Sequence, residues 1–219
     1  PHATYAAMVT HIDKQVGDLV QKLKDLGIWE NTIFIVTSDN GPASNGNSPM
    51  EYFRSGGPFK CGKGWGKSSL HEGGIRMPFV LRWGEGKQCE KIQHISSFAD
   101  IMPTLAEIVG VEAPENDGVS FAPTVLSQTA GGQQYSHASG IKSGEQKEHE
   151  YLYWEFPGSK GWVAVRMGEW KGIVRKVLKG NTGMELYNLK EDPRESKDVA
   201  SEHPEIVKEM WKAVKESHR

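Results

Sequence analysis

This sequence has few cysteines, little excess of positive or negative charge, and no long apolar run. Each of these features argues against a class of protein. The 219 residues contain two cysteines, Cys61 and Cys89, which can pair or stay free and are too few to indicate an oxidising compartment. A formal net charge of -2 gives no reason to expect nucleic acid or an anionic membrane as a partner. No apolar stretch approaches the roughly 20 residues that cross a bilayer, so the sequence predicts no integral membrane protein.

The composition that remains is typical of a folded, soluble protein. Hydrophobic residues make up 37% of the chain, and the mean hydropathy is -0.54. The length suits one large domain, or a domain with a small appendage. Because the chain starts at Pro1 and a helical pattern begins within a few residues, we expect a piece of a longer polypeptide.

A buried strand followed by polar residues is the most informative stretch of the sequence. Ile33 to Val36 is a continuous apolar run, which predicts a strand buried on both faces of a parallel sheet. Asp39 and Asn40 follow the strand at its carboxyl end, where open α/β sheets bind their ligands. Carboxylate and amide oxygens suit calcium or magnesium, so these two residues predict half of a divalent-cation site. The alternative is an ordinary turn, because Asp-Asn-Gly is also strong turn chemistry.

Helical patterns flank this strand. Apolar residues between Tyr5 and Leu26 recur at three-to-four spacing, which predicts an amphipathic helix that ends at Gly27 and packs on the sheet. A second strand is expected within residues 75–83. Asp100 is expected to cap a helix that ends at Gly110.

A loop rich in glycine and lysine lies between the two predicted strands. Residues 58–74 combine three lysines with glycines, serines and Trp65, which favours an anion-binding loop over a flexible basic surface loop. Arg76 is positioned to pair with Glu72 across Gly73 and Gly74 and so to hold the loop in shape.

The last part of the chain differs in character. Residues 127–150 carry few apolar side chains and read as a junction or exposed loop, which separates a core portion at 1–126 from a subdomain at 151–219. Short aromatic and β-branched segments predict a small antiparallel sheet in this subdomain. Pro204 opens a final helix with an apolar face that contains Met210 and Trp211.

Several motifs, in their joint order and spacing, carry a resemblance to a known family. They are Thr37-Ser-Asp-Asn-Gly-Pro42, Gly66-Lys-Ser-Ser-Leu-His-Glu-Gly-Gly-Ile-Arg-Met-Pro78, Asp100-Ile-Met-Pro-Thr-Leu105, Asp117-Gly-Val-Ser120, and Glu185-Leu-Tyr-Asn-Leu189 with Asp192-Pro193. The whole chain resembles the C-terminal half of a sulfatase of the arylsulfatase type, within the alkaline-phosphatase-like superfamily. The resemblance implies an α/β fold: the C-terminal part of a mixed sheet flanked by helices, followed by a small antiparallel sheet with a C-terminal helix.

The resemblance also implies roles for five residues. Asp39 and Asn40 match calcium ligands of the family, and magnesium is the alternative cation. Lys67 matches a catalytic lysine that binds the sulfate, because it has the right spacing to Glu72. Lys63 lies in a second Gly-Lys-Gly and competes for this assignment. His71 stands where family members often carry an aromatic residue, so it is expected to face the substrate.

The family's nucleophile has no counterpart in this sequence. Sulfatases of this type use a formylglycine made within a Cys/Ser-x-Pro/Ala-x-Arg segment, and neither Cys61 nor Cys89 begins one. The resemblance therefore places the formylglycine in an N-terminal half of the same polypeptide, and this chain alone is expected to be inactive or nearly so. The implied substrate is a sulfated small molecule or glycan, and the implied location is periplasmic, extracellular or lysosomal.

Two rival functions stay open on sequence grounds. A phosphodiesterase or phosphonate hydrolase of the same superfamily would use a metal and a lysine equally well. A non-catalytic carbohydrate-binding module would use the aromatic C-terminal sheet as its working surface.

Overall fold

A computed structural model describes residues 2–43, 50–83, 91–128 and 145–218. The chain separates into two compact units, the first formed by residues 1–10, 37–79 and 150–219 and the second by residues 11–36 and 80–149. The predicted boundary at 127–150 stays a prediction, because residues 129–144 of it lie outside the described residues.

The described elements alternate between helices and strands before they end in a sheet and a helix. In chain order they are α1 (His2–Asp25), β1 (Ile33–Thr37), α2 (Glu72–Ile75), β2 (Phe79–Trp83), α3 (Ile101–Val109), α4 (Ala122–Gln128), β3 (Leu152–Phe156), β4 (Trp162–Met167), β5 (Trp170–Arg175), β6 (Met184–Asn188) and α5 (Pro204–Ser217). None of the described helices is long and apolar enough to cross a membrane.

The first unit contains the predicted antiparallel sheet and terminal helix, and both predictions are confirmed. The sheet has the order β3-β4-β5-β6, and each strand is antiparallel to its neighbour. A two-residue hairpin at Gly168 and Glu169 joins β4 to β5, so that Met167 pairs with Trp170. Gly168 has a φ of +53°, a conformation that glycine adopts without a steric penalty.

Alternating side chains give this sheet two different faces. On one face, Val163, Val165, Val174 and Leu186 pack with Met210 of α5 in an apolar cluster. On the other face, apolar residues pack with Leu70 from the segment just before α2. These are Ala164, Ile173, Tyr187 and, from the chain after β6, Leu189. Both faces of the sheet are therefore covered, one by a helix and one by a loop.

The second unit is built on β1 and β2, which pair in a two-stranded sheet. Trp83 of β2 packs with residues of α3 and α4, and with Ile33 and Leu81, around a small apolar core. Asp100 stands at the N-cap position of α3, as predicted, but its side chain makes no capping hydrogen bond to that helix; Ser97 caps a short 3-10 turn that ends at Asp100. The Asp100 carboxylate accepts the backbone N–H groups of Ser97 and Val119, which ties the turn to a later loop.

Two burial predictions fail in the described structure. The residues of β1 are half-buried or exposed rather than buried on both faces, since β2 is the only strand that pairs with β1 in the described part of the chain. The helix α1 has no buried residue, and its apolar residues Met8, Val9, Ile12 and Leu19 are exposed. Val16, Val20 and Leu23 are half-buried, so α1 is covered only in part among the described residues, and the rest of its apolar side is exposed.

Candidate anion and metal site

The end of β1 forms a compact turn that carries Asp39 and Asn40. The Asp39 carboxylate accepts the N–H of Asn40 at 2.9 Å, and the Asn40 amide nitrogen donates to the Gly41 carbonyl at 2.9 Å. The turn chemistry that the sequence offers as an alternative is therefore present. These bonds use one carboxylate oxygen of Asp39 and the nitrogen of the Asn40 amide, so the turn itself does not occupy the second Asp39 oxygen or the Asn40 amide oxygen.

Backbone hydrogen bonds join this turn to the segment that carries Lys67. The N–H of Lys67 donates to the Pro42 carbonyl at 2.9 Å, and the N–H of Gly41 donates to the Gly74 carbonyl at 2.8 Å. The side chains of Lys67 and Lys63 are both exposed. The segments of Asp39 and Lys67 are thus direct neighbours, although they are separated by a long loop in sequence.

The glycines of the loop are required by close packing. A Cβ atom on Gly41 would overlap the Gly73 carbonyl, and one on Gly74 would overlap the carbonyls of Ser69 and Gly66. A Cβ atom on Gly66 would overlap the Pro42 carbonyl in the same way. These glycines therefore let three backbone segments touch, and anion binding by the loop stays a prediction.

Glu72 is the centre of a group of charges beneath this loop. Its side chain is 2% exposed, and its Oε1 atom lies 2.7 Å from the Lys171 ammonium. Its Oε2 atom lies 3.2 Å from an Arg76 guanidinium nitrogen and 3.8 Å from one of Arg166. The predicted pairing of Arg76 with Glu72 is confirmed, whereas Lys171 and Arg166 are partners that the sequence analysis did not identify.

A second carboxylate, that of Glu195, approaches the same ammonium group. Its Oε1 atom lies 3.2 Å from Lys171 Nζ, and its Oε2 atom accepts the backbone N–H of Glu72 at 2.7 Å. Glu195 is almost fully buried, and it has a φ of +51°, which a non-glycine residue adopts at an energetic cost. We call the buried residues Glu72, Glu195 and Lys171, together with the half-buried Arg166 and the exposed Arg76 at their edge, the buried ion cluster.

The cations of the buried ion cluster decide the charge state of Glu72. Burial by itself raises the pKa of a carboxyl group, because it removes water from the charged form. Lys171, followed by Arg166 and Arg76, outweighs that effect and lowers the pKa of Glu72 below its ordinary value of 4.5. Glu72 is therefore an anion at neutral pH despite its burial.

His71 lies next to the buried ion cluster and is enclosed by aromatic rings. Its side chain is 1% exposed and stacks on Trp65 with ring centroids 4.0 Å apart. Its Nδ1 atom is 3.2 Å from Glu195 Oε1, without the alignment of a hydrogen bond, and within the described residues Nε2 has no hydrogen-bond partner. Contact of His71 with a substrate stays a prediction, and the enclosure of the ring gives it no support.

The donor types at the β1 end fit a hard cation, but their number does not complete a site. Calcium takes about six to eight oxygen ligands, whereas Asp39 and Asn40 offer two side chains. Across residues 2–43, 50–83, 91–128 and 145–218, no group of three or more His, Cys, Asp or Glu side chains is arranged to hold a metal. Calcium binding by Asp39 and Asn40 therefore stays a prediction, and these two side chains alone are too few to complete a calcium site.

The aromatic residues of the antiparallel sheet serve mainly as core. Trp154, Phe156 and Trp162 pack against the cluster that contains Leu70 and Ile173, and they are all half-buried. Arg175 lies 5.6 Å from the centroid of the Trp162 ring. These contacts favour packing over a flat stacking platform for sugars.

Two family models match the chain and together span it. The model named Sulfatase matches residues 1–111, and the model for the N-sulphoglucosamine sulphohydrolase C-terminal region matches residues 63–219. Among curated relatives, the N-acetylgalactosamine-6-O-sulfatase of Bacteroides thetaiotaomicron is 27% identical over 230 residues, which covers 94% of this chain and 40% of that protein. Arylsulfatase A of Bos taurus is 28% identical, with 94% of this chain and 40% of that protein covered.

Solved structures give the same relationship in three dimensions. A sulfatase from a Bacteroides thetaiotaomicron locus for glycosaminoglycan metabolism superposes with a TM-score of 0.69 at 27% identity, over 94% of this chain and 42% of that one. A phosphonate monoester hydrolase of Agrobacterium radiobacter shares the fold with a TM-score of 0.65 at 22% identity, over 97% of this chain and 40% of that one. The chain spans about 40% of the length of the proteins it matches.

Proposed function

Since this chain belongs to the sulfatase family, we propose that it is the C-terminal part of a sulfuric ester hydrolase, contributing cation and sulfate contacts to an active site shared with an N-terminal half of the same polypeptide. The observation that carries the proposal is the pair of backbone bonds, Lys67 to Pro42 and Gly41 to Gly74, that joins the two candidate ligand segments. Without those bonds, the two segments would not be held next to each other.

The residues of this chain would bind and orient the substrate. The exposed ammonium of Lys67 would face the sulfate group and offset the negative charge that develops on it. Asp39 and Asn40 would hold a calcium ion through their oxygen atoms, with magnesium as the alternative. A bound calcium ion would polarise the sulfate oxygens, and a formylglycine from the N-terminal half would supply the nucleophile.

Lys67 is a better candidate for the sulfate contact than Lys63. The backbone of Lys67 is fixed by its bond to Pro42, next to the turn that carries Asp39 and Asn40. Lys63 lies between Gly62 and Gly64, which both have positive φ angles, and its side chain is exposed as well. A fixed backbone positions an ammonium group with less loss of conformational entropy on binding.

The exposed apolar face of α1 suits the N-terminal half as its occupant. Met8 and Ile12 are 61% and 58% exposed, which is far more than an amphipathic helix leaves open once it is packed. The relatives contain more than half of their length outside the matched region, which is enough chain to cover this face. We also infer an exported location, on the family resemblance alone.

Substitutions in the full polypeptide test the proposed function. We expect Lys67→Ala to lower kcat/KM for an aryl sulfate ester by on the order of 100-fold, because it removes a charge that stabilises the transition state. Asp39→Ala is expected to lower both bound calcium, measured by atomic absorption, and activity. Lys63→Ala serves as the matched control, with a smaller effect.

Equal and mild losses in Lys67→Ala and Lys63→Ala would contradict both lysine assignments. If Asp39→Ala leaves calcium content and activity unchanged, the metal assignment is wrong.

Phosphate ester or phosphonate hydrolysis is the second candidate. A cation and a lysine suit phosphate as well as sulfate, and the fold is shared with a phosphonate monoester hydrolase. Assays of one enzyme preparation with matched aryl sulfate and aryl phosphonate esters would separate the two candidates. A higher kcat/KM for the phosphonate would favour the second.

A further inference from the structure

We propose that Lys171, on the central strand β5, is a positioning residue for the anion and metal site, which it holds in shape through Glu72 and Glu195. This inference rests on the proposed function for its consequence in catalysis, but the positioning itself is a property of the fold. The roles proposed for Lys67, Asp39 and Asn40 do not themselves involve Lys171.

Lys171 is buried on the face of the sheet that meets α2. Its side chain is fully buried, and it projects from the same face of β5 as Ile173. Its cross-strand partner in β4 is Arg166, so two cations stand side by side where a sheet of this kind normally presents apolar residues. Glu72 and Glu195 are the anions that make this placement tolerable.

Glu72 is connected to the candidate site through the two glycines that follow it. Glu72 is the first residue of α2, and Gly73 and Gly74 follow it directly. Gly74 packs against the carbonyls of Gly66 and Ser69, on either side of Lys67, and its own carbonyl accepts the N–H of Gly41. A shift of Glu72 would therefore displace both the Lys67 segment and the turn that carries Asp39 and Asn40.

Glu72 is held from two directions. Its carboxylate is bound to Lys171, and its backbone N–H is bound by Glu195, which also contacts Lys171. Lys171 thus sets the side-chain position directly and the backbone position through Glu195. Without the ammonium group, two buried carboxylates would face each other, and α2 would have to move so that water could reach them.

Hydrogen exchange of the full polypeptide, read by mass spectrometry, tests the proposal. We expect Lys171→Met to raise the exchange rates of peptides within residues 39–42 and 66–74 by about tenfold, while β4 peptides change less, because the site segments open locally. In the same variant we expect kcat/KM for an aryl sulfate ester to fall by about tenfold, mainly through kcat.

Two controls separate positioning from loss of stability. Met210→Ala removes apolar packing from the opposite face of the sheet, and Lys190→Met removes an exposed lysine whose ammonium is 3.9 Å from Glu169. We expect neither to raise exchange in residues 39–42 and 66–74 beyond that of β4. If Lys171→Met does not fold, Glu195→Gln, which keeps the shape of the side chain, is measured in its place with the same expectation.

Unchanged exchange in the two site segments, or an increase no larger than that of β4, would overturn the positioning role. Absence of aryl sulfate ester hydrolysis by the wild-type polypeptide would instead overturn the proposed function, and the exchange rates would still decide the role of Lys171.

Discussion

The face of the four-stranded sheet that meets α5 is closed by apolar side chains, whereas the face that meets α2 is closed partly by charges. On the α5 face, Val165, Val174 and Leu186 are fully buried against Met210. On the α2 face, Ile173 shares its strand with the buried Lys171, which binds Glu72 and Glu195. The two faces belong to the same strands and differ only in which alternate residue points to them.

The difference between the faces shows which parts of the structure each kind of contact can hold in a fixed position. Apolar burial is strong but non-directional, so it stabilises α5 on the sheet without fixing any one atom. An ion pair with hydrogen-bond geometry is directional, and it fixes the carboxylate of Glu72 and thereby the backbone that follows. Burying the charges costs desolvation, so the gain is in the position of the loop more than in stability.

Among the changes that test the difference between the two faces, Lys171→Met is expected to have the largest effect on the free energy of unfolding. Removing the ammonium leaves the buried Glu195 without this partner and Glu72 with Arg76 and Arg166, so we expect the free energy of unfolding to fall by about 3–5 kcal/mol. Urea denaturation followed by circular dichroism measures this change. A loss below about 1 kcal/mol, as in a surface ion pair, would mean that the ammonium contributes no more than an exposed one.

A somewhat smaller effect is expected from Met210→Ala on the apolar face. The side chain is fully buried, and its loss leaves a cavity next to Gly172, so we expect the free energy of unfolding to fall by about 3 kcal/mol. Because apolar packing carries no direction, sulfate ester hydrolysis measured well below the denaturation midpoint should stay close to that of the wild type. A loss of activity as large as that of Lys171→Met would show that both faces position the site.

The smallest effect is expected from acid, since burial and the neighbouring cations shift the pKa of Glu72 in opposite directions. The net lowering of this pKa means that Glu72 contributes stability fully above pH 4.5, its ordinary pKa, and loses that contribution as the pH falls further. Urea denaturation at a series of pH values from about 6 to about 3 measures the loss. Glu72→Gln should be less stable at neutral pH and should lose less stability on acidification; an identical slope would contradict this account.

Local patterns in the sequence predicted much of the fold and part of the site. The structure confirms three predictions that depend on residues close in sequence. They are the antiparallel strands β4 and β5, the helix that begins at Pro204, and the pairing of Arg76 with Glu72. The family resemblance and the alkaline-phosphatase-like fold are confirmed by the matching family models and solved structures.

Long-range partners account for what the sequence did not predict. Lys171 is 99 residues from Glu72, and the carboxylate that binds the Glu72 N–H is 123 residues away, so no spacing rule connects them. The sequence offered only a weak signal, because Lys171 shares its face of β5 with the apolar Ile173 but also with the charged Arg175. The prediction that α1 is buried failed for another reason. The burial of a helix depends on what covers it and not on its own periodicity.

The adjacency of Lys171 and Gly172 limits where residues can be inserted or deleted as this protein evolves. Gly172 leaves room for the sulfur atoms of Met184 and Met210, which lie 2.6 and 2.7 Å from the position of a Cβ atom on that residue. Inserting or deleting one residue in β5 before Lys171 would exchange the two faces for the rest of that strand, sending the ammonium towards α5 and the glycine towards Glu72. Heritable insertions should therefore accumulate in the connections between strands, and odd-numbered ones inside β5 should be eliminated by selection.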